Sequence, residues 1–284
     1  MSVIAADEPG LLHPRDFQRL ARFISEYSGI KMPLAKKVMV EGRLRRRLRE
    51  TGHADFASYC RFLFEENGLA SEGTHLIDAV TTNKTEFFRE PAHFDFLVDH
   101  ILPEYGEGRA HTGAPLKIWS AAASSGAEAY TIAMLLSERR RAGAHFRHFI
   151  LGTDISREIL QSAVAGIYPD TMLAQVPAAY QARYFRRGKG KAAGLVRIVP
   201  ELRAQVHFAW LNLMQSSYPV PRDMDVVFCR NILIYFDRPT QAAVLERLCQ
   251  HIRPGGYLIL GHSESLAGLS LPVEPVVSTV FRRR

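Results

Sequence analysis

The sequence predicts an α/β protein: a parallel, doubly wound sheet, with an all-helical region before it and a small antiparallel β-subdomain inserted into it. Three observations predict this. Through residue 76, apolar side chains recur only at helical spacing. After about residue 112, strand-like runs alternate with helix-like stretches of about 10–15 residues, the pattern of a parallel sheet with helices on both faces. Residues 183–203 then interrupt the alternation with glycines at 188, 190 and 194 and an extended run at 195–199, which reads as a β-hairpin excursion.

In the helical region, Phe17, Leu20, Phe23, Ile24 and Tyr27 mark a first helix, with Asp16 as its expected cap and Gly29 as its expected end. Val40, Leu44 and Leu48 stripe a second helix, and Phe56, Tyr59, Phe62 and Leu63 a third. Residues 79–90, AVTTNKTEFFRE, are too polar for a core helix and too aromatic for an idle linker. Strands are expected at 116–120, 149–153, 206–209, 225–229 and 257–260, with a last one at 276–281. Helices are expected at 127–141, 156–165 and 240–251, and Pro254-Gly255-Gly256 reads as a turn. The organisation that follows is a helical domain at 1–76, a linker at 77–90 and an α/β domain at 91–284, with the β-subdomain at about 183–203.

The chain has 284 residues, and 47% are hydrophobic, enough for a sizeable core and too many for wholesale disorder. No apolar run reaches the ~18 residues of a membrane-spanning helix. The opening MSVIAADEPG has neither a basic n-region nor a long apolar run, so no signal peptide is expected. Three scattered cysteines, Cys60, Cys229 and Cys249, make neither a disulfide framework nor a zinc knuckle. The expectation is a reduced, cytoplasmic monomer. The net charge of +7 is concentrated. Residues 31–49 hold eight basic side chains and one acid, residues 183–203 hold seven and one, and the rest of the chain carries 21 basic and 27 acidic side chains. A slightly acidic body with two positive patches points to an anionic partner met at defined places, whether nucleic acid, anionic lipid or an acidic protein surface.

In doubly wound sheets ligands sit beyond the carboxyl ends of the strands. Four features fall there. The segment KIWSAAASSGAEAYTIAMLL joins a strand to a helix through small residues, which let a ligand approach the backbone; a tight turn explains it equally well. Asp154 ends the strand FILGTD, placed to accept ribose hydroxyls or to cap the next helix. Asn212, with Leu213 beside it, follows another strand, where an amide suits an adenine edge. Arg230 and Asn231 end the strand DVVFC, with Tyr235 four residues beyond Asn231; capping by Asn231 and an ordinary half-buried tyrosine are the plain alternatives. G-x-G-x-x-G is absent, which weakens a nicotinamide dinucleotide reading. Loop, aspartate and two strand-end amides in this order look like the sheet of an S-adenosylmethionine-dependent methyltransferase, and the PGGYLIL turn-strand agrees.

TTNKTEFFRE, WSAAASSGAEAY, GTDI, CRNILIYF and GHSES, in this order, resemble the bacterial chemotaxis receptor methyltransferases, the CheR family, and the resemblance runs from about residue 15 to the end of the chain. One departure stands out. Where the family reads close to S-T-G-E-E-P-Y, this chain has alanine at 127 and 129, leaving Glu128 as the carboxylate. The resemblance implies transfer of a methyl group from S-adenosylmethionine to chemoreceptor glutamates, with S-adenosylhomocysteine as product. It places Asn83, Thr85 and Arg89 over the methionine end, Glu128 near the cofactor's positive charge and Asp154 on the ribose. Asn212, Leu213 and Asn231 frame the adenine and nearby groups, and Arg230 is a further cofactor-binding residue. Arg89 and Tyr235 lie by the methyl and orient the acceptor carboxylate. It implies that the helical domain docks the receptor through Arg43, Arg45, Arg46, Arg47 and Arg49, five arginines in seven positions with no acid among them. It also implies that Lys189, Lys191 and Arg197 of the β-subdomain meet a receptor tail peptide by strand addition.

Two rivals remain open on the sequence. A nucleic-acid methyltransferase explains both patches but lacks a base-reading pocket signature. A non-catalytic cofactor sensor is kept open by the alanines at 127 and 129. The eleven histidines show no H-E-x-x-H or H-x₃-H pattern, so metal catalysis is not expected.

Overall fold

The computed structural model describes residues 10–108 and 113–284; the leader reading at residues 1–9 lies outside them. The chain forms two compact units. One runs to Thr82 and takes in Tyr235–Asp237; the other holds Asn83–Ile234 and Arg238–Arg284.

The helical unit contains α1 (Pro14–Ser28), α2 (Lys37–Thr51), α3 (Phe56–Glu65) and α4 (Leu69–Val80). The apolar stripe of α1 buries Phe17, Leu20 and Ile24. Gly29 ends the helix in the left-handed conformation (φ 74°), as expected. The cap differs: His13 accepts from the Arg15 N–H, Pro14 opens the first turn, and Asp16 sits inside that turn. Val40, Leu44 and Leu48 are buried along α2. Asp55 and Ser58 form a capping box at the start of α3. Helix α4 carries the chain past residue 76 to Val80, so the first residues of the expected linker are helical.

In the second unit, α5 (Ala92–Phe96) continues through a π-helical turn (Leu97–Ile101) into α6 (Leu102–Gly108). There follow β1 (Leu116–Ala121), α7 (Ala127–Arg141), β2 (His148–Asp154), α8 (Arg157–Ala165), β3 (Ile167–Pro169), α9 (Ala178–Tyr184), β4 (Phe185–Arg187), β5 (Leu195–Ile198), α10 (Pro200–Arg203), β6 (Val206–Trp210), β7 (Met224–Cys229), α11 (Arg238–His251), β8 (Ile252–Leu260), β9 (Val273–Val277) and β10 (Val280–Arg283). The main sheet has the order β6-β2-β1-β7-β8-β10-β9. Its first five strands are parallel and its last two pairings antiparallel. Strand β7 is buried along its whole length, which is why it reads as a continuous apolar run rather than an alternation.

Three expectations are corrected here. The single terminal strand at 276–281 is two strands, β9 and β10, folded antiparallel with Thr279 at φ 60° between them. The Pro254-Gly255-Gly256 turn lies inside β8, where the β7–β8 register shifts. This irregularity takes up the left-handed Gly255 (φ 74°) without ending the strand. The antiparallel insertion is a three-stranded sheet, β3-β5-β4, and it begins at Ile167, ahead of the glycine-rich stretch. Its exposed face sets Arg186 directly opposite Arg197. No helix among the described residues is long and apolar enough to cross a membrane.

Candidate active site

The strand order reverses between β1 and β7, so the crevice beyond their carboxyl ends is the switch point of the sheet. The loop after β1 is built from alternating left-handed residues: Ala122 (φ 60°), Ser124 (φ 52°) and Gly126 (φ 87°). Small side chains are required for two reasons. Left-handed backbone penalises a Cβ, and a Cβ on Gly126 would meet the Phe208 ring at 2.8 Å. The loop is pinned from three sides. The Ser124 N–H donates to Asp154 Oδ2 (2.8 Å), the Ser124 hydroxyl donates to the Asn83 carbonyl (2.9 Å), and the Tyr168 hydroxyl donates to the Ser125 carbonyl (2.6 Å).

Asp154 is 7% exposed, and its second oxygen accepts the Ser156 N–H at 3.0 Å. The cap of α8 is Ser156, whose hydroxyl accepts from the Ile159 N–H. The capping alternative for Asp154 therefore falls away, and its carboxylate braces the loop instead. Beyond β6, Asn212 and Leu213 are both buried, and Asn212 Oδ1 accepts the Met214 N–H at 2.9 Å.

Arg230, at the end of β7, organises the centre. Its guanidinium donates to Glu128 Oε2 (2.8 Å), to Glu90 Oε2 (2.9 Å) and to the Arg89 carbonyl, and it lies 5.4 Å from the Phe94 ring centroid. Ser120, at the end of β1, donates to the other oxygen of Glu128 (2.6 Å). Asn231 (φ 60°) donates its amide to Glu90 Oε1 at 3.1 Å. Burial opposes the charge on Glu90, but the hydrogen bonds from Asn231 and Arg230 and the Arg230 charge outweigh it and hold the carboxyl below its ordinary range. Arg230 Nε is buried without an acceptor.

Glu264 closes the floor. It accepts four backbone N–H groups, from Asn231, Ile232, Leu233 and Gly261, at 2.7–2.9 Å. Burial pushes its carboxyl above the ordinary range, and the four donors oppose that rise. A Cβ on Gly261 would meet Asn231 Nδ2 at 2.5 Å and Glu264 Oε2 at 3.0 Å, which accounts for the glycine of GHSES.

The structure thus brings Glu128, Arg230 and Asn231 into one hydrogen-bonded cluster and fixes Asp154 beneath the neighbouring loop. Asn83 joins through its carbonyl, and Arg89 through its carbonyl alone; the Arg89 guanidinium donates to the Lys84 carbonyl at 3.3 Å. Thr85 is half-buried. Tyr235 belongs to the helical unit, where its carbonyl accepts the Lys31 N–H (3.0 Å) and its ring lies 5.6 Å from the Lys36 ammonium. Glu90, Ser124 and Glu264 are the residues that sequence reasoning missed as individuals. All three stand inside quoted motifs, TTNKTEFFRE, WSAAASSGAEAY and GHSES, but nothing local marks a glutamate as the acceptor of an arginine or of four backbone N–H groups.

The α2 arginines do not form one free face. Arg47 pairs with Glu72 Oε2 (2.6 Å) and with Glu50, and Tyr59 also donates to Glu72 (2.9 Å). Arg43 donates to the carbonyls of Val80 and Thr81 and to the Thr82 hydroxyl. Arg46 pairs with Glu50 at 2.7 Å, and Arg45 lies 3.7 Å from Glu41. Glu41 and Glu50, flanking the run, relieve the like-charge repulsion that the run alone suggests. Arg45, Arg46 and Arg49 remain exposed.

Comparison with known proteins matches two family models end to end: the all-alpha domain of CheR methyltransferases over residues 15–81 and their SAM-binding domain over residues 83–281. The chain belongs to the CheR methyltransferase family. Its cofactor is S-adenosylmethionine. It is 42% identical over 253 residues to the chemotaxis protein methyltransferase of Escherichia coli K12, covering 89% of this chain and 85% of that protein. It is 40% identical to chemotaxis protein methyltransferase 2 of Pseudomonas aeruginosa, covering 94% and 92%. The Borreliella burgdorferi chemotaxis protein methyltransferase is 36% identical, covering 89% of each chain. The site suits the cofactor on the chemistry of its donors. Glu90 and Glu128 share the single guanidinium of Arg230, Asp154 accepts backbone N–H groups, and the excess of three carboxylates over one guanidinium favours a sulfonium cation. The left-handed loop carries nothing bulkier than serine at its turn positions, so its backbone is open to close approach.

Proposed function

We propose that this CheR-family methyltransferase esterifies glutamate side chains in the cytoplasmic helices of chemoreceptors. The observation that carries the reading is that its relatives, named as chemotaxis methyltransferases, match through both units, the helical unit included. A bare cofactor-binding sheet would serve many acceptors. A helical unit presenting Arg45, Arg46 and Arg49 suits a glutamate-rich helix, because guanidinium forks pair well with carboxylates.

In this reading Asp154, held by two backbone N–H groups, takes the ribose hydroxyls. Glu128 balances the cofactor's positive charge. Asn212, Leu213 and Asn231 frame the adenine and its surroundings, Arg230 binds the cofactor from the same strand end, and Asn83, Thr85 and Arg89 hold the methionine end. The cofactor supplies an electrophilic methyl on a sulfonium sulfur. The acceptor carboxylate needs no base, since a glutamate of pKa about 4.3 is ionised at neutral pH. A carboxylate oxygen bonds the methyl carbon as the carbon–sulfur bond breaks, the electron pair passes to sulfur, and no proton moves. The protein's work is positioning, with Arg89 orienting the acceptor and Tyr235 aligning it. The β-subdomain offers a second foothold. Lys189, Lys191 and Arg197 are exposed, and the facing Arg186–Arg197 pair is relieved by an acidic strand laid beside it. Such a tether raises local substrate concentration without touching the site.

The test is transfer of labelled methyl to chemoreceptor-containing membranes, followed by mild base. Label released as methanol supports carboxyl methyl esters. Base-stable label, or label on nucleic acid, overturns the reading, and cofactor binding without any transfer to receptors favours a sensor.

A further inference from the structure

We propose that Glu90, His93 and the His262 side chain form a site for a divalent first-row transition ion of the zinc type, and that loading it draws Glu90 away from Arg230. Ligand atoms of the three residues lie within 4.8 Å of one another. Glu90 and His93 lie three residues apart and His262 comes from a distant segment, so the set is completed only by the fold.

The decisive feature is His93. It is 2% exposed, and its Nδ1 is buried with no hydrogen-bond partner. Its Nε2 lies 2.7 Å from the Thr279 hydroxyl, and that hydroxyl donates its own hydrogen to the Ser278 carbonyl. With the hydroxyl donating to that carbonyl, it accepts from Nε2–H, and in that tautomer Nδ1 presents a bare lone pair. That lone pair faces Glu90 Oε2 at 3.5 Å, an acceptor opposite an acceptor. A cation between them removes the conflict. A ring fixed by hydrogen bonding at one nitrogen and free at the other is the usual state of a ligating histidine. The left-handed backbone at Glu90 (φ 57°) and Thr279 (φ 60°) holds both in place. His262 is exposed, its ring centroid 5.0 Å from that of His93, and gives the ion an entry path.

Two neutral imidazoles and one carboxylate suit zinc, nickel or copper better than magnesium or calcium, which prefer oxygen ligands. Three protein ligands leave an open position for water. Arg230 is the competitor, since it holds the same Glu90 oxygen at 2.9 Å. An ion that takes Glu90 removes one anchor of the Arg230 cluster and so weakens S-adenosylmethionine binding. This last consequence rests on the cofactor placement above; ion binding itself does not.

The test uses the full chain, stripped with a chelator. Zn²⁺ is titrated against a chromophoric chelator, and Co²⁺ uptake is followed by visible absorption. One equivalent of tight binding is expected. It should be lost in His262→Ala, which alters an exposed side chain, and weakened about tenfold in Thr279→Val, which leaves the ligands but frees the ring. Absence of a tight site, or equal uptake by wild type and His262→Ala, overturns the site. Cofactor titration supplies the second readout: Zn²⁺ should weaken S-adenosylmethionine binding in the wild type and leave His262→Ala unaffected. Equal cofactor affinity in apo and loaded wild type overturns the Glu90 displacement.

Discussion

Each unit has an arginine set between two glutamates. Arg230 lies between Glu90 and Glu128 in the α/β unit, and Arg47 lies between Glu50 and Glu72 in the helical unit. The chemistry is the same and the settings are not. Arg47 is 17% exposed at its side chain and joins regular helices, α2 to α4. Arg230 is 3% exposed and joins segments with strained backbone. Of the eight non-glycine residues with positive φ among those described, Phe88, Glu90, Ala122, Ser124 and Asn231 belong to the loops around it. Strain of this kind costs about 1–3 kcal/mol per residue and persists where a site over-determines the geometry. An ion pair alone does not distinguish glue from function; strain at the carboxyl edge of a sheet, with unmatched negative charge, does.

The largest effect is expected at Arg230. Removing one partner of a buried pair leaves the others uncompensated and costs about 3–5 kcal/mol. Arg230→Ala strands both Glu90 and Glu128, so it should lower stability by that order and abolish cofactor binding. Arg230→Lys keeps the charge but not the planar fork. It should recover much of the stability in urea unfolding and little of the affinity in a cofactor titration. A lysine variant that binds S-adenosylmethionine normally would reduce Arg230 to structural glue and erase the contrast with Arg47.

Arg47→Ala should be milder. Glu72 keeps the Tyr59 hydroxyl, and Glu50 keeps Arg46 and is exposed. A loss of about 2 kcal/mol, within the range for breaking a partly buried charged hydrogen bond, is expected. Cofactor affinity should not change. Calorimetric binding of S-adenosylmethionine to this variant is the check, and a weakened complex would show that the helical unit's network reaches the cofactor.

What was legible in the sequence tracks how local the physics is. The α7 boundaries, the Gly29 stop and the five parallel strands follow from periodicity and caps that lie within a few residues. The carboxyl-edge positions of Asp154, Arg230 and Asn231 follow from strand ends. Glu264 and Glu90 were illegible as partners, because their significance comes from N–H groups and a guanidinium delivered by other segments. The five α2 arginines suggest an unbroken face when taken without Glu41 and Glu50, the flanking acids about one turn away. Pro254-Gly255-Gly256 signals a turn locally; only the pairing of β8 with β7 shows that the strand runs on through it.

The smallest effect on stability, and the most selective on function, is expected from Arg45, Arg46 and Arg49. Exposed ion pairs are worth about 0–1 kcal/mol each, and Arg49 is exposed on the same helix. A triple substitution to glutamine should therefore leave unfolding and S-adenosylmethionine affinity close to those of the wild type. Methyl transfer to receptor should fall, through KM rather than kcat, because docking charges act on encounter and complex lifetime and not on the methyl transfer step. The deficit should shrink as ionic strength rises, since the wild-type attraction is screened over about 8–10 Å at physiological salt. If the triple variant methylates receptor with an unchanged KM at low salt, the exposed arginines are a solvated face, and recognition must lie elsewhere, with Lys189, Lys191 and Arg197 the next residues to neutralise. If kcat falls with KM unchanged, α2 contributes to the geometry of the transferring complex, and the separation of anchoring from chemistry drawn from Arg47 and Arg230 does not extend to this helix.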